Sequence, residues 1–217
     1  MVQLTVDIGG RPGVDCRGFC SYCYFKHAKE VPAFGCKYCL PFTKGCDYCT
    51  RSVQEKYSGF IPLRDVAEKV LADLQVLSGD LTRITISGGG DPSCYPEFSD
   101  LIELLGTLEA PLHIGYTSGK GFDNPDIADF LIENGLQEIS FTVFSHKPEL
   151  RRSFMNDPTP DASLEVLLRL AKEIDVYAAL VILPGVNDGD ALYDTIRWLE
   201  QAGVKGTILM RFANAPE

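Results

Sequence analysis

Residues 9–23 read Gly-Gly-Arg-Pro-Gly-Val-Asp-Cys-Arg-Gly-Phe-Cys-Ser-Tyr-Cys, and they follow a short apolar segment, residues 4–8, that predicts a first β-strand. Cys16, Cys20 and Cys23 thus have the spacing Cys-x3-Cys-x2-Cys on one loop. Three thiolates this close together can hold three corners of a cubane iron–sulfur cluster, which leaves the fourth iron open to another ligand. Three cysteines of a zinc knuckle are the alternative.

Downstream of this loop, predicted strands alternate with predicted helices. Strands are expected over residues 83–87, 113–117, 138–145, 176–183 and 206–212, and helices over 66–77, 98–108, 126–134, 162–174 and 191–202. Such alternation predicts parallel strands joined by right-handed crossovers. Six units are too few for a closed eightfold barrel, so we expect an α/β fold of the partial (β/α)6 TIM-like type. A doubly wound open sheet is the alternative, and in both folds ligands bind at the carboxyl ends of the strands.

Composition and charge argue against several classes of protein. The 217 residues are 45% hydrophobic and 23% charged, as in globular chains. No apolar run approaches the roughly 20 residues of a membrane span, and no signal peptide is recognised, so a cytoplasmic protein is expected. A net charge of −10 argues against a general nucleic-acid binder. Lys and Arg exceed Asp and Glu only in residues 1–64, the cysteine-rich part, where cations offset the charge of thiolates.

A second group of cysteines forms two Cys-x2-Cys pairs that are six residues apart. Two such pairs can hold one tetrahedral metal ion, so residues 31–55 are predicted to be an inserted metal-binding loop. The spacing does not distinguish iron from zinc, and a second cubane cluster is the alternative. Iron is preferred because an anaerobic iron–sulfur protein is assembled where ferrous iron is plentiful. The four predicted ligands are Cys36, Cys39, Cys46 and Cys49.

The spacing of the first three cysteines resembles the signature of the radical S-adenosylmethionine (SAM) superfamily. This resemblance implies that the amino and carboxylate groups of SAM bind the open iron of a [4Fe-4S] cluster, and that one electron cleaves SAM to a 5′-deoxyadenosyl radical. Residues 87–92, Ser-Gly-Gly-Gly-Asp-Pro, follow the second predicted strand, where the superfamily has a Gly-Gly-acid-Pro run. The resemblance therefore implies that Gly89, Gly90 and Asp91 hold the SAM amino group, since glycine permits close backbone approach.

Further SAM contacts are implied at other positions. Superfamily members usually have an aromatic residue that packs on adenine between the second and third cysteines, which is Tyr22 here. They often have an arginine for the SAM carboxylate after the fourth strand, which is Arg151 or Arg152. Hydroxyl groups near strand ends suit the ribose of SAM. These are on Thr117, Ser118, Thr142 and Ser145. Ordinary core or surface roles are the alternative for all of these residues.

Two stretches resemble a narrower family. Residues 9–26 and residues 45–51, Gly-Cys-Asp-Tyr-Cys-Thr-Arg, closely resemble methanogenesis marker protein ten, a family of cobalamin-dependent radical SAM methyltransferases in methanogenic archaea. The resemblance implies C-methylation of an arginine in the α subunit of methyl-coenzyme M reductase, with a separate reductant protein as electron donor. Residues 1–217 would be the radical SAM core domain. The cobalamin site would be supplied by a C-terminal half or a second chain, because chains of that family are longer.

Three residues are candidates for catalysis. Tyr24 follows the third cluster cysteine, and its phenolate oxygen is a candidate ligand of the open iron when SAM is absent; packing over the cluster is the alternative. A substrate guanidinium needs a carboxylate or phenol partner near the strand ends. Tyr116 and Asp157 are the first candidates for that partner, ahead of Asp188 and Asp190, and turn capping is the alternative for the Asp residues.

Two other functions are compatible with parts of this pattern. One is a radical SAM enzyme that modifies or activates a peptide without cobalamin. The other is an iron–sulfur electron-transfer or zinc-knuckle binding module. The glycine–acid run argues against the binding module, because a simple carrier needs no SAM site.

Overall fold

Six parallel strands, hydrogen-bonded in chain order, form one open sheet in a computed structural model that describes residues 2–23, 26 and 58–212. Sequential order excludes a doubly wound sheet, whose strand order reverses at a switch point. The predicted α/β partial barrel is therefore confirmed. The strands are β1 Val2–Asp7, β2 Leu81–Ser87, β3 Leu112–Thr117, β4 Leu136–Thr142, β5 Asp175–Ile182 and β6 Gly206–Arg211.

Helices connect the successive strands, and right-handed crossovers place them on one face of the sheet. They are α1 Leu63–Val76, α2 Phe98–Gly106, α3 Ile127–Glu133, α4 Pro148–Met155, α5 Pro160–Leu170 and α6 Gly189–Gln201. Gly135, the second residue after the end of α3, has φ +88°, a left-handed conformation that is typical of glycine just beyond a helix end. Among the described residues, no helix has both the length and the apolar character that a membrane crossing requires.

The two faces of the sheet differ in polarity. On the helix-covered face, Ile84 and Ile86 are fully buried. On the concave face, Arg83 donates a hydrogen bond of 2.8 Å to Glu138, and His113 lies 3.6 Å from the same carboxylate oxygen. Burial lowers the pKa of His113, so its ring is neutral at pH 7. The core therefore lies between sheet and helices, while the open side of the barrel carries polar groups.

Helix α4 is the one helix of the described chain that the sequence pattern did not predict. Pro148 lies in its first turn, where a backbone N–H would have no partner within the helix, so the missing N–H of proline costs nothing. The helix ends at Met155, and the next residue, Asn156, has a φ of +55°. Its inward residues are Arg151 and Met155, one helical turn apart. The helix was missed because its buried face carries an arginine at a position where the apolar pattern of a helix normally has a hydrophobic residue.

Candidate functional site

The loop after β1 and the loop after β2 contact each other backbone to backbone. The carbonyl of Gly9 accepts hydrogen bonds from the N–H groups of Gly89, at 2.8 Å, and Gly90, at 3.1 Å. A Cβ atom on Gly10 would lie 2.6 Å from the Gly90 nitrogen, and a Cβ on Gly88 would collide with the Gly9 carbonyl. Glycine on both loops is thus what allows the cysteine loop to lie against the glycine–acid run.

The three clustered cysteines line one cavity of about 260 Å³ at the carboxyl ends of the strands. Residues 88–91 of the glycine–acid run line the same cavity. Burial, with a smaller contribution from the Asp91 carboxylate, raises the pKa of Cys16 to about 11, and burial also raises the pKa of Cys20. Both groups are thus thiols at neutral pH until a metal displaces their protons. Three sulfur donors on one cavity fit the three-cysteine ligand set of a cubane cluster.

A wider depression of about 530 Å³ lies at the opposite, amino-terminal edge of the sheet. Its described lining includes Glu103, Glu109 and Glu133 but no cysteine and no residue of the glycine–acid run. Parallel sheets bind ligands at the carboxyl ends of their strands, so the cysteine cavity is the candidate site.

The cysteine loop is held against the C-terminal end of α4. The backbone N–H of Ser21 donates to the Phe154 carbonyl at 2.7 Å, and the Ser21 hydroxyl donates to the same oxygen at 3.0 Å. The Asn156 amide donates to the Phe19 carbonyl at 2.6 Å. The helix missed by the sequence pattern is therefore one support of the loop that carries the cysteines.

Asp91 is buried, and both of its carboxylate oxygens accept hydrogen bonds from the protein. Oδ1 accepts from the Thr117 hydroxyl at 2.5 Å and from the N–H and hydroxyl of Ser93 at 3.0 and 2.8 Å. Oδ2 accepts from the Ser118 N–H at 2.8 Å and from the Ser118 hydroxyl. Asp91 thus joins the loops after β2 and β3. In this arrangement the hydroxyls of Thr117 and Ser118, predicted to contact ribose, donate to Asp91.

Arg151 and Asp157 form an ion pair whose side chains are both fully buried. The Asp157 carboxylate accepts from Arg151 Nε at 2.9 Å and Nη2 at 2.7 Å. Arg151 Nη1 donates to the carbonyls of Thr142 and Val143, and Nη2 donates to the carbonyl of Ser118. All five guanidinium donors are thus used. With these contacts, Arg151 has no N–H left for a SAM carboxylate, and the Asp157 carboxylate is buried against Arg151, so neither predicted role is supported by this arrangement.

Of the other residues predicted to contact SAM or the substrate, some line the cavity and others do not. Tyr116, which is 60% exposed, and Thr142 line the cavity, as does Tyr22, whose ring stacks on Phe144 with centroids 5.0 Å apart. Arg152 and Ser145 are not among the described residues that line it. The Arg152 side chain is exposed and lies 3.7 Å from Asp161, and the buried Ser145 hydroxyl accepts from the Lys147 N–H. Tyr24, Cys36, Cys39, Cys46 and Cys49 lie outside the described residues.

Lys120 lines the cavity, although the sequence analysis did not identify it as a site residue. Its side chain is 1% exposed, and Nζ donates to the carbonyls of Gly18 at 2.7 Å and Met155 at 2.9 Å. Nζ also lies 4.0 Å from the Cys20 sulfur. The carbonyl of Lys120 accepts from Arg17 at 2.8 Å. Because lysine is rarely buried, its residue type did not indicate that Lys120 would line a cavity. Only its position just after β3 could have indicated this.

Comparison with known families gives one match. The Radical SAM superfamily profile matches residues 11–199. No curated protein sequence matches the chain.

Solved structures share the fold of this chain at low sequence identity. Streptococcus suis SuiB bound to precursor peptide SuiA has a TM-score of 0.61 at 10% identity, over 97% of this chain and 40% of SuiB. The anSMEcpe structure with AdoMet and Kp18Cys peptide has 0.62 at 14% identity, over 98% and 52%. TsrM, a radical SAM methyltransferase from Kitasatospora setae with cobalamin and a [4Fe-4S] cluster, has 0.60 at 16% identity, over 96% and 34%. The chain spans about half or less of each of these proteins.

We expect Gly10→Ala to destabilise the protein much more than Gly185→Ala. Both glycines have positive φ, +93° and +77°, so both substitutions incur the left-handed backbone cost of about 1–2 kcal/mol. Only Gly10 has backbone atoms within 3 Å of the new Cβ; Gly185 has open space among the described residues. Urea unfolding of the apoprotein should show an additional loss of about 1–3 kcal/mol for Gly10→Ala. Equal losses would contradict the close approach of the two loops.

We expect Arg151→Met to lower the free energy of unfolding of the apoprotein by about 3–5 kcal/mol, because it leaves the Asp157 carboxylate buried and unpaired. The neighbouring Arg152→Met is the matched control. Its side chain is exposed, so we expect a change within about 0.5 kcal/mol. Chemical denaturation measures both variants without SAM. An unchanged stability of Arg151→Met, together with weaker SAM binding, would restore the carboxylate-binding role.

Proposed function

The chain belongs to the radical SAM superfamily, and from this premise we propose that it is the catalytic part of a cobalamin-dependent methyltransferase. Its substrate would be an arginine side chain in the α subunit of methyl-coenzyme M reductase, which it would methylate on carbon. The observation that carries the proposal is the single cavity lined by Cys16, Cys20, Cys23 and the glycine–acid run. The likeness of residues 9–26 and 45–51 to methanogenesis marker protein ten supports this substrate and cobalamin.

Each group of residues has a distinct part in the proposed reaction. When bound, the cluster and SAM supply a radical that removes hydrogen from an unactivated carbon, and cobalamin supplies the methyl group. Cys16, Cys20 and Cys23 would hold three irons of the cluster. The backbone of residues 88–90 gives SAM a surface without side chains. Asp91 holds residues 88–90 against the end of β3, because its carboxylate accepts hydrogen bonds from Thr117 and Ser118.

A substrate guanidinium needs a hydrogen-bond acceptor at the cavity, and Tyr116 is the first remaining candidate. Asp157 is bound to Arg151, whereas the Tyr116 phenol lies on the cavity wall and is exposed. Asp188, just before α6, and Asp190, in the first turn of α6, follow β5 at the same edge of the sheet. The fold neighbours SuiB and anSMEcpe have peptides bound in their structures, which supports a polypeptide substrate.

Those two neighbours also favour a second candidate, a radical SAM enzyme that modifies or activates a peptide without cobalamin. The TsrM structure, which contains cobalamin, favours the first. Membership of an enzyme superfamily removes the support for a simple electron carrier or zinc-knuckle module.

The test is anaerobic incubation of the reconstituted protein, joined to or mixed with the C-terminal half or second chain that would supply the cobalamin site, with SAM, a reductant, methylcobalamin and an arginine-containing peptide of the reductase α subunit. We expect 5′-deoxyadenosine and a peptide heavier by one methyl group, and neither product from a Cys16→Ala variant. A peptide with lysine in place of arginine is the matched substrate control. A cobalamin-independent change of the peptide would favour the second candidate, and absence of 5′-deoxyadenosine would contradict radical SAM chemistry.

We expect Tyr116→Phe to raise KM for the arginine peptide about tenfold, because loss of a hydrogen bond to a charged group costs about 1.5 kcal/mol. Tyr193→Phe is the matched control, since Tyr193 is similarly exposed but lies on α6. Steady-state kinetics at saturating SAM separates KM from kcat. An unchanged KM in Tyr116→Phe would move the assignment to Asp188 or Asp190.

The four-cysteine segment is proposed to hold one structural iron ion, with zinc as the alternative. Reconstituted protein should then contain about five irons and about four sulfides per chain. The double variant Cys36→Ser/Cys39→Ser should lose one metal ion and no sulfide. Elemental analysis with sulfide determination measures these iron, zinc and sulfide contents. About eight irons and eight sulfides would indicate a second cubane, and about four irons with one zinc would correct the metal.

A further inference from the structure

Lys120 places a buried amino group beside the cysteine loop. Two backbone carbonyls, from Gly18 on the cysteine loop and Met155 at the end of α4, accept its hydrogen bonds at 2.7 and 2.9 Å. Both bonds span parts of the chain that are distant in sequence, 102 and 35 residues away. The side chain thus fastens the cysteine loop to the carboxyl edge of the sheet.

The charge of this ammonium is not balanced by a neighbouring carboxylate. Within the described part of the chain, no Asp or Glu oxygen forms an ion pair with Lys120 at 4.0 Å or less. Burying an ammonium without a counter-charge is costly. The Cys20 sulfur is 4.0 Å away, and thiolates around a cluster would provide the missing negative charge.

A second donor, the hydroxyl of Tyr22, belongs to the same cysteine loop. The Tyr22 hydroxyl is buried and has no hydrogen-bond partner among the described residues. A buried donor of this kind needs an acceptor, and a metal-bound sulfur is one. Cys20 is therefore approached by an ammonium at 4.0 Å, and the cysteine loop carries a buried phenol that has no acceptor among the described residues.

From these contacts we propose that Lys120 positions the cluster loop and raises the reduction potential of the cluster held by Cys16, Cys20 and Cys23. The proposal rests on the cluster that superfamily membership implies and is independent of cobalamin and of the methylated substrate. One-electron reduction adds negative charge to the cluster. A nearby cation in a site shielded from water stabilises that added charge, and local charge and hydrogen bonds to sulfur are known determinants of cluster potential.

The test uses the reconstituted protein without SAM or substrate. Lys120→Met removes the charge and both hydrogen bonds, Lys120→Gln keeps an N–H donor but removes the charge, and Lys172→Met on the exposed surface is the matched control. The midpoint potential is measured by EPR-monitored redox titration. We expect the equilibrium constant for one-electron reduction to fall at least tenfold in Lys120→Gln, a shift of about −59 mV, with Lys172→Met unchanged.

Iron content and circular dichroism of the apoprotein separate the two parts of the proposal. A folded Lys120→Met variant that binds less iron and less sulfide than the wild type supports the positioning role. A Lys120→Gln variant with the wild-type iron and sulfide content and the wild-type potential would overturn the electrostatic role. Apoproteins of both variants that are unfolded would show that Lys120 only stabilises the core, and would overturn the proposal. None of these readouts depends on methyl transfer, so failure of the proposed function would leave this test unaffected.

Discussion

The close approach of two backbone loops is the constraint on which the candidate site depends. The Gly9 carbonyl lies within hydrogen-bond distance of two consecutive N–H groups, those of Gly89 and Gly90, and no Cβ fits at Gly10 or Gly88. These loops follow neighbouring parallel strands, so both lie at the same edge of the sheet. The cysteines follow the first loop directly, so this contact places their sulfur atoms on the cavity wall.

Buried polar contacts then fix the rest of the cavity. Asp91 joins the ends of β2 and β3, the Arg151–Asp157 pair joins the ends of β3 and β4 to α4, and Lys120 joins the cysteine loop to α4. Each polar group would be costly to bury alone, and each is matched by several partners. A cavity held in this way keeps its shape before a cofactor arrives, which reduces the ordering cost of binding.

The shared fold and the narrower function rest on different kinds of observation. The superfamily match and the six-stranded partial barrel agree with each other, and the low identity to SuiB, anSMEcpe and TsrM limits those likenesses to the fold. The proposed methylation of arginine rests on the resemblance of residues 9–26 and 45–51 to methanogenesis marker protein ten. These motifs are local stretches, whereas the sheet geometry is common to enzymes with different substrates.

Local sequence patterns were enough to predict the order of the strands, every α-helix except α4, and the three cysteines that line the cavity. Apolar periodicity marks the strands, and Cys16, Cys20 and Cys23 are close enough in the chain to share a loop. Which polar residues line the cavity and which are buried beside it followed from tertiary contacts instead. Arg151 and Asp157 have residue types that suit a ligand site, yet they satisfy each other in the core. Lys120, of a type that is usually exposed, reaches a carbonyl 102 residues away, a contact that no local pattern records.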